Sequence, residues 1–533
     1  MSDMLLCRLA DSTAIEPLIN KWAVWSDLIS PVSYSLHLVN YQMKTLASYL
    51  KNPEIHVKAC RSPKLAGGPF VDVPIHRADE INKLLRDTEK NQAGNISFAS
   101  EVVNFYNFLA TEAKGQSLEP YYQRIPDLLR GYAELLYDYY NHPILRFLES
   151  LLYESPYYQR GGQSLRIFEQ KHDNYRRSFL STPRLEEDGQ IDWVIPFESP
   201  EIDELFKVEH KPVPLGQIKE VLNLDPANEG VLSNLVTTAT SPPREKWDGP
   251  GVRIRYFGHA CLLIEWNGIS VLTDPWIGVD STEKTVARFS HNDLCEHIDF
   301  VLITHCHHDH FVPESLLRLR HKIGCIVVPR TFGLLYSDPS LKLMARKIGF
   351  KNVIELDALE SIKLEGGEII AFPFLGEHAD LAHGKTAYVV RANNQQILIA
   401  ADSNCLDPRM YEHIHNILGP IETTFLGMEC VGAPLSWLYG ALLPSKLQHS
   451  HDQSRRTRAC NAAAALELLE SIGSKRVYVY AMGSEPWLQY SMGLALSEDS
   501  IQIQQSDKLI AATRQKGFVD SGRLFGKFEL HLS

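Results

Sequence analysis

The sequence predicts an α/β chain in which residues 252–533 form an αββα sandwich, two sheets with helices outside them, behind a separate α+β domain over residues 1–236. Three observations carry this. Residues 237–251 collect Ser, Thr, Pro and Gly without periodicity, as a linker does. Beyond them hairpin signals come first and helical patterns are interspersed later. Before them the chain is rich in tyrosine and in apolar residues at helical spacing.

In chain order, Ser97–Ala113 carries Val103, Tyr106 and Leu109, and Tyr132–Tyr153 carries Leu135 and Tyr139, so both read as amphipathic helices. Two apolar stretches within Phe179–Phe197 flank Glu187-Asp188-Gly189-Gln190 and read as a hairpin. The tyrosine and leucine stripes of this half read as core or subunit interface, and it holds no catalytic motif. After the linker, Val252, Ile254 and Tyr256 alternate with Arg253 and Arg255, the period of a strand. Cys261–Trp266 and Ile269–Thr273 flank Asn267-Gly268, a type I′ turn signal. Phe300–Thr304 is a short apolar run that ends in a histidine cluster, and Pro313–His321 looks helical. Further strand pairs are expected at Ser361–Phe374 around Gly366-Gly367 and at Thr386–Ala401 around Asn393-Asn394. Thr423–Met428 and Val477–Ala481 read as strands, with an Ala/Leu-rich helix at Asn461–Ile472 between them.

Composition narrows the function classes. The chain has 53 Lys+Arg against 65 Asp+Glu, a formal charge of −12, and no long basic run, which argues against nucleic acid or an anionic membrane as main partner. No stretch approaches the roughly 18 apolar residues of a membrane span. Met1–Ala10 sets Asp3 and Arg8 around a short apolar run and reads as neither secretory signal nor lipidation site. Nine scattered cysteines without a C-x-x-C pair fit reduced thiols, so the expected location is cytoplasmic.

The chemistry sits in Thr304-His305-Cys306-His307-His308-Asp309-His310. His305 and His307, two apart past a strand end, aim to one side, and Asp309 with His310 offers a second pair of donors. One loop can thereby build two adjacent metal sites, and imidazole with carboxylate suits zinc, iron or manganese.

These residues resemble the metallo-β-lactamase superfamily over about Val252–Phe528, with Gly258-His259-Ala260 and Leu272-Thr273-Asp274-Pro275-Trp276 matching its lactonase-like branch. The resemblance implies that Asp274 hydrogen-bonds a metal histidine. It also implies that Asp402, ending the apolar strand Leu398–Ala401, bridges both metals. Two departures matter. Glu377 stands where hydrolases of this fold place a third histidine, with His378 one residue late, and Val479–Ser484 lacks the last ligand histidine.

That pattern, with the large N-terminal domain, resembles the di-iron β-hydroxylase of chloramphenicol biosynthesis and its relatives in nonribosomal peptide pathways. The resemblance implies an O2-dependent monooxygenase that β-hydroxylates an aminoacyl group tethered to a peptidyl carrier domain of a nonribosomal peptide synthetase, in antibiotic and other natural-product biosynthesis. It implies two Fe ions, one held by His305, His307 and Glu377 and the other by Asp309 and His310, with Asp402 shared and Glu377 the catalytic carboxylate. It further implies dimerisation through the N-terminal domain. No dinucleotide fingerprint or Fe–S cysteine cluster is present, so the external electron donor is expected to be a separate reductase. Glu429 is a candidate to line the site or ligate, with a buried salt bridge as its alternative, and His259 to stand near the metals, with a satisfied structural histidine as its alternative; His378, His383, His449 and His451 read as surface residues with no ligand role, and for Ser484, Arg455 and Arg458 spacing alone supports no contact with a phosphopantetheine arm or a carboxyl group. The alternative reading is a dizinc or manganese hydrolase of a lactone, thioester or phosphodiester; a metal-free binding scaffold is disfavoured by the intact histidine loop. The amino acid acted on and its pocket are not legible.

Overall fold

The structure is a computed structural model that describes residues 3–173, 176–240, 246–493 and 495–533. Met1 and Ser2 of the N-terminal segment, and residues 241–245 of the expected linker, lie outside the described residues. Two seven-stranded sheets form the C-terminal half. One runs, in spatial order, Val353–Leu356, Ile323–Pro329, Ile298–Leu302, Ile269–Thr273, Cys261–Trp266, Val252–Gly258, Phe528–Leu532. The other runs Ser361–Leu364, Gly367–Phe372, Ala387–Ala392, Gln395–Ile399, Thr423–Gly427, Arg476–Tyr480, Asp520–Arg523. Antiparallel hairpins give way to parallel strands in each sheet, as with Val271 opposite Phe300 and Ile397 opposite Thr423. Parallel pairing sends several consecutive strands toward the same edge of the sandwich. The hairpin turns are left-handed where the sequence predicted them, with φ of 48° and 74° at Asn267 and Gly268 and 45° and 67° at Asn393 and Asn394.

Alternation sorts the strands' side chains into layers. Ile254, Tyr256, Leu262 and Ile264 pack between the sheets against Ile369, Tyr388, Val390 and Phe425. Helices Pro408–Leu418, Ala462–Ile472 and Ile501–Gln515 cover the second sheet with Tyr411, Leu468 and Leu509. The Ala462 helix begins where Asn461 accepts a hydrogen bond from the Ala464 amide and stops at left-handed Gly473.

The outer face of the first sheet is shared. Leu263, Leu272, Val301 and Ile326 belong to one continuous core with Leu316 and Leu317 of the helix Pro313–Leu319 and with Trp22, Trp25, Leu28 and Phe206 of the N-terminal half. Ion pairs stitch the seam: buried Arg318 to Glu209 at 2.7 Å and Arg288 to Asp173 at 2.8 Å, and Arg320 to half-buried Asp203 at 2.8 Å. The N-terminal half contains a four-stranded sheet built from Trp22–Ala23, Thr13–Ile19, Gln163–Glu169 and Gln190–Val194, with helices including Pro31–His37, Ala78–Asn91 and Ala93–Glu112.

Two local expectations are corrected. Tyr132–Tyr153 contains a hairpin, Ala133–Tyr137 paired with Pro143–Phe147, in place of a helix. Asp138 captures the Tyr140 and His142 amides at 2.8 Å, Asn141 turns left-handed, and Pro143 has no N–H for a helix. Within Phe179–Phe197 only Gln190–Val194 is a strand, and its partner is Gln163–Glu169, far away in sequence. The preceding segment is held by side chains, Arg184 reaching Glu16 at 2.7 and 2.8 Å. Among the described residues no helix is long and apolar enough to cross a membrane, and all nine cysteines are free.

Candidate metal centre

The predicted donors converge where strands end. The loop after Ile298–Leu302 carries His305, His307, Asp309 and His310; His259, Asp274, Asp402 and Glu429 follow the strands ending at Gly258, Thr273, Ile399 and Gly427, and Glu377 follows Phe372. His259, Asp274, Glu377, Ala401 and Ala481 all have positive φ, between 30° and 70°. Non-glycine residues in that region cost energy, and their concentration at one edge marks chain held for function.

Thr304 and Asp274 set the loop. Fully buried Asp274 accepts from the Thr304 amide at 2.8 Å, the Thr304 hydroxyl at 2.6 Å and His310 Nδ1 at 2.8 Å. The opposite nitrogen of His310, Nε2, lies 2.9 Å from Asp402 Oδ2. His305 has Nδ1 3.0 Å from the Thr304 hydroxyl and Nε2 3.1 Å from His307 Nδ1. That same His307 nitrogen lies 2.9 Å from Glu377 Oε1, while its Nε2 meets the Tyr439 hydroxyl at 2.6 Å. His259 Nε2 stands 3.2 Å from Asp309 Oδ2. Donor atoms of His305, His310 and Asp402 lie within 4.8 Å of one another, as do those of His259, Asp309 and His310, and those of His305, His307 and His378.

His378 is the unexpected neighbour. Its Nδ1 lies 2.8 Å from the Tyr439 hydroxyl and its ring stacks on His383 at 4.4 Å. His308 turns away, its ring stacked on Phe179 at 4.7 Å and edge-on to Trp25 and Trp437. His449 and His451 are exposed, on the short helix His449–Ser454. Sequence reasoning missed Tyr439, which orients two histidines, and Glu485, whose Oε1 accepts from the His259 amide at 2.9 Å and from Tyr256. Neither belongs to a local motif; only the fold brings them in.

The electrostatics are those of a site built around cations. Burial opposes a charge on His310, but Asp402, Asp309 and Asp274 outweigh it and lift its pKa well above the usual imidazole value. Burial, reinforced by Asp402 and Asp309, pushes the Glu377 carboxyl well above its usual range. Burial lowers His307 to about 4. Crowding Glu377, Asp309 and Asp402 into one buried pocket is costly without positive charge. Asp402 Oδ1 is buried with no hydrogen-bond partner among the described residues. An orphaned carboxylate oxygen, facing imidazole nitrogens whose far sides are fixed by Asp274, Thr304 and Tyr439, fits a pair of metal ions, and the mixed N/O donor set suits iron.

Comparison with known proteins agrees. Residues 8–240 match the diiron non-heme beta-hydroxylase N-terminal domain, and residues 253–401 match the beta-lactamase superfamily domain. A 4-amino-L-phenylalanyl-[CmlP-peptidyl-carrier-protein] 3-hydroxylase of Streptomyces venezuelae is 33% identical over 518 residues, covering 96% of this chain and 97% of that protein. The crystal structure of CmlA, a diiron beta-hydroxylase from Streptomyces venezuelae, superposes with a TM-score of 0.92 at 32% identity over 99% of this chain and 100% of that one. A UPF0173 protein of Pyrococcus abyssi is 32% identical over 127 residues, 24% of this chain and 50% of its own length. The C-terminal half has the metallo-β-lactamase fold.

Proposed function

This chain belongs to the diiron non-heme beta-hydroxylase family, and we propose that it hydroxylates the β-carbon of an aminoacyl group presented as a thioester by a peptidyl carrier domain of a nonribosomal peptide synthetase. The observation that supports this most is the carboxylate Glu377, 2.9 Å from His307 Nδ1, in a chain that is alike over its whole length to a carrier-bound aminoacyl hydroxylase. The full-length likeness favours hydroxylation over the hydrolase reading. Extra anionic charge also weakens metals as Lewis acids and raises the pKa of bound water.

In this reading His305, His307 and Glu377 would hold one iron, Asp309 and His310 the other, and Asp402 would contribute a carboxylate to the pair. The irons supply the O2-activating redox chemistry that protein side chains lack. The chain's own residues prepare the donors. Asp274 keeps a proton on His310 Nδ1, so Nε2 presents its lone pair beside Asp402. Tyr439 occupies His307 Nε2, so Nδ1 faces Glu377 and His305. Trp437, Leu438 and Met492 give the adjoining cavity an apolar wall that limits water. Each hydroxylation consumes one O2, two electrons and two protons and yields one water, and the electrons come from a separate reductase. The N-terminal half supports a homodimer, which sedimentation of the full chain would detect.

The test is metal analysis together with turnover under 18O2 with a chemical or protein reductant and an aminoacyl carrier domain. Two irons per chain and one 18O in the tethered acyl group are expected. Two zincs with thioester cleavage, or unlabelled product, would refute the reading.

A further inference from the structure

We propose that Glu429 is the anchor for the substrate's α-ammonium group, a positioning residue that seats the aminoacyl chain beside the metal donors. This rests on the aminoacyl reading above. Glu429 follows the strand Thr423–Gly427 and lines a cavity of about 220 Å³ together with His307, Asp309, Glu377 and Asp402. It belongs to none of the groups of three or more donors whose atoms lie within 4.8 Å of one another, and unlike Glu377 it has no close approach to a loop histidine. It shares the cavity without joining the ligand cluster.

Its carboxylate is clamped by neutral donors. Gln502 Nε2 lies 3.0 Å from both oxygens, and the Gly432 amide donates to Oε1 at 2.8 Å. Among the described residues no Lys, Arg or His side chain forms an ion pair with it. Arg456, which also lines the cavity, has its guanidinium committed to the Val431 carbonyl at 2.9 Å, the Gly432 carbonyl at 2.6 Å and Gln453 at 2.9 Å. A carboxylate fixed in place at a cavity wall, oriented by two donors and with no ion-pair partner among the described residues, is complementary to an ammonium group. Burial and the charge of Asp402 already raise its pKa, and an incoming ammonium reverses that pressure.

The cavity offers a place for the rest of the amino acid. Trp437, Leu438 and Met492 form its apolar side, and the backbone of Ala66, Gly67 and Gly493 closes it. Gly67 accepts a hydrogen bond from Trp437 Nε1 at 2.9 Å, so the N-terminal half roofs the pocket. A Cβ on Gly493 would meet Gly67 Cα at 2.7 Å, which leaves that approach to glycine. An ammonium held at Glu429 and a side chain held at Trp437 fix two substituents of the α-carbon and its neighbour, which determines which β-hydrogen faces the donors.

The test compares two carrier domains, one bearing L-phenylalanine and one bearing 3-phenylpropionate, each joined through a non-hydrolysable amide for binding and through a thioester for turnover. Wild type should bind the amino form more tightly by on the order of 30-fold, the scale of losing one partner of a buried charge pair. Glu429→Gln should reduce that preference to about 3-fold or less, raise KM for the amino form more than it lowers kcat, and keep two irons per chain. Undiminished discrimination in Glu429→Gln, or loss of iron from it, would overturn the anchor role. If wild type neither binds nor hydroxylates any carrier-bound aminoacyl chain across a panel of aromatic, aliphatic and polar amino acids, the aminoacyl reading itself fails and takes the anchor with it.

Discussion

Replacing Asp274 by Asn tests whether a single buried carboxylate sets the donor state of the centre. Asp274 is fully buried, and its Oδ2 receives both the Thr304 hydroxyl at 2.6 Å and His310 Nδ1 at 2.8 Å. In Asp274→Asn the Oδ1 acceptor for the Thr304 amide survives, but an NH2 group faces two donors. The threonine hydroxyl can rotate; the imidazole can only move its proton to Nε2. That nitrogen lies 2.9 Å from Asp402 Oδ2 and is the one proposed to bind metal. Losing such a partner costs about 10- to 100-fold in metal affinity, which is about 1.4 to 2.7 kcal/mol at 1.36 kcal/mol per decade. Competition with a calibrated chelator measures the affinity. The reasoning is refuted if the variant keeps its iron affinity within 3-fold of wild type.

Glu377→Ala should lose about one iron per chain and abolish hydroxylation, whereas His378→Ala should keep two irons, although His378 Nε2 is buried without a hydrogen-bond partner among the described residues; metal analysis of both variants decides which side chain is the ligand. Asp338, 7% exposed, is pushed up to about 7 by burial and by the charge of Glu149, so folding disfavours its ionised form. The contribution of Asp338 to stability is therefore fullest below about pH 4 and declines as the pH rises to about 7. Asp338→Asn should be neutral near pH 4 and stabilising by about 2 kcal/mol at pH 8, a figure set below the full linkage value to allow for relaxation and water access; urea denaturation of metal-free protein at the two pH values would show otherwise if the gain were absent or independent of pH.

Local order was legible where a residue's own neighbours enforce it. Asn267-Gly268 and Asn393-Asn394 take left-handed backbone at both positions, as a two-residue type I′ hairpin turn requires. Leu135 and Tyr139 misled because spacing by four satisfies strand alternation as well as a helix, and the Asp138 turn decides between them. Gln190–Val194 could not be paired from sequence, because its partner lies beyond the intervening segment and reaches it only through the sheet.

The sequence by itself determined the histidine loop, the aspartates at strand ends and the carboxylate at 377, since donor chemistry and short spacing are properties of adjacent residues. Only the tertiary structure decided which nitrogen of each imidazole is free, through Asp274 on His310 and Tyr439 on His307. It alone brought His378 beside His305 and His307, seated Glu429 in the same cavity, and roofed that cavity with Gly67 of the other half of the chain. Those contacts join residues up to 370 positions apart, and a hydrogen bond of about 3 Å between such residues exists only after two sheets and a shared core have fixed their distance.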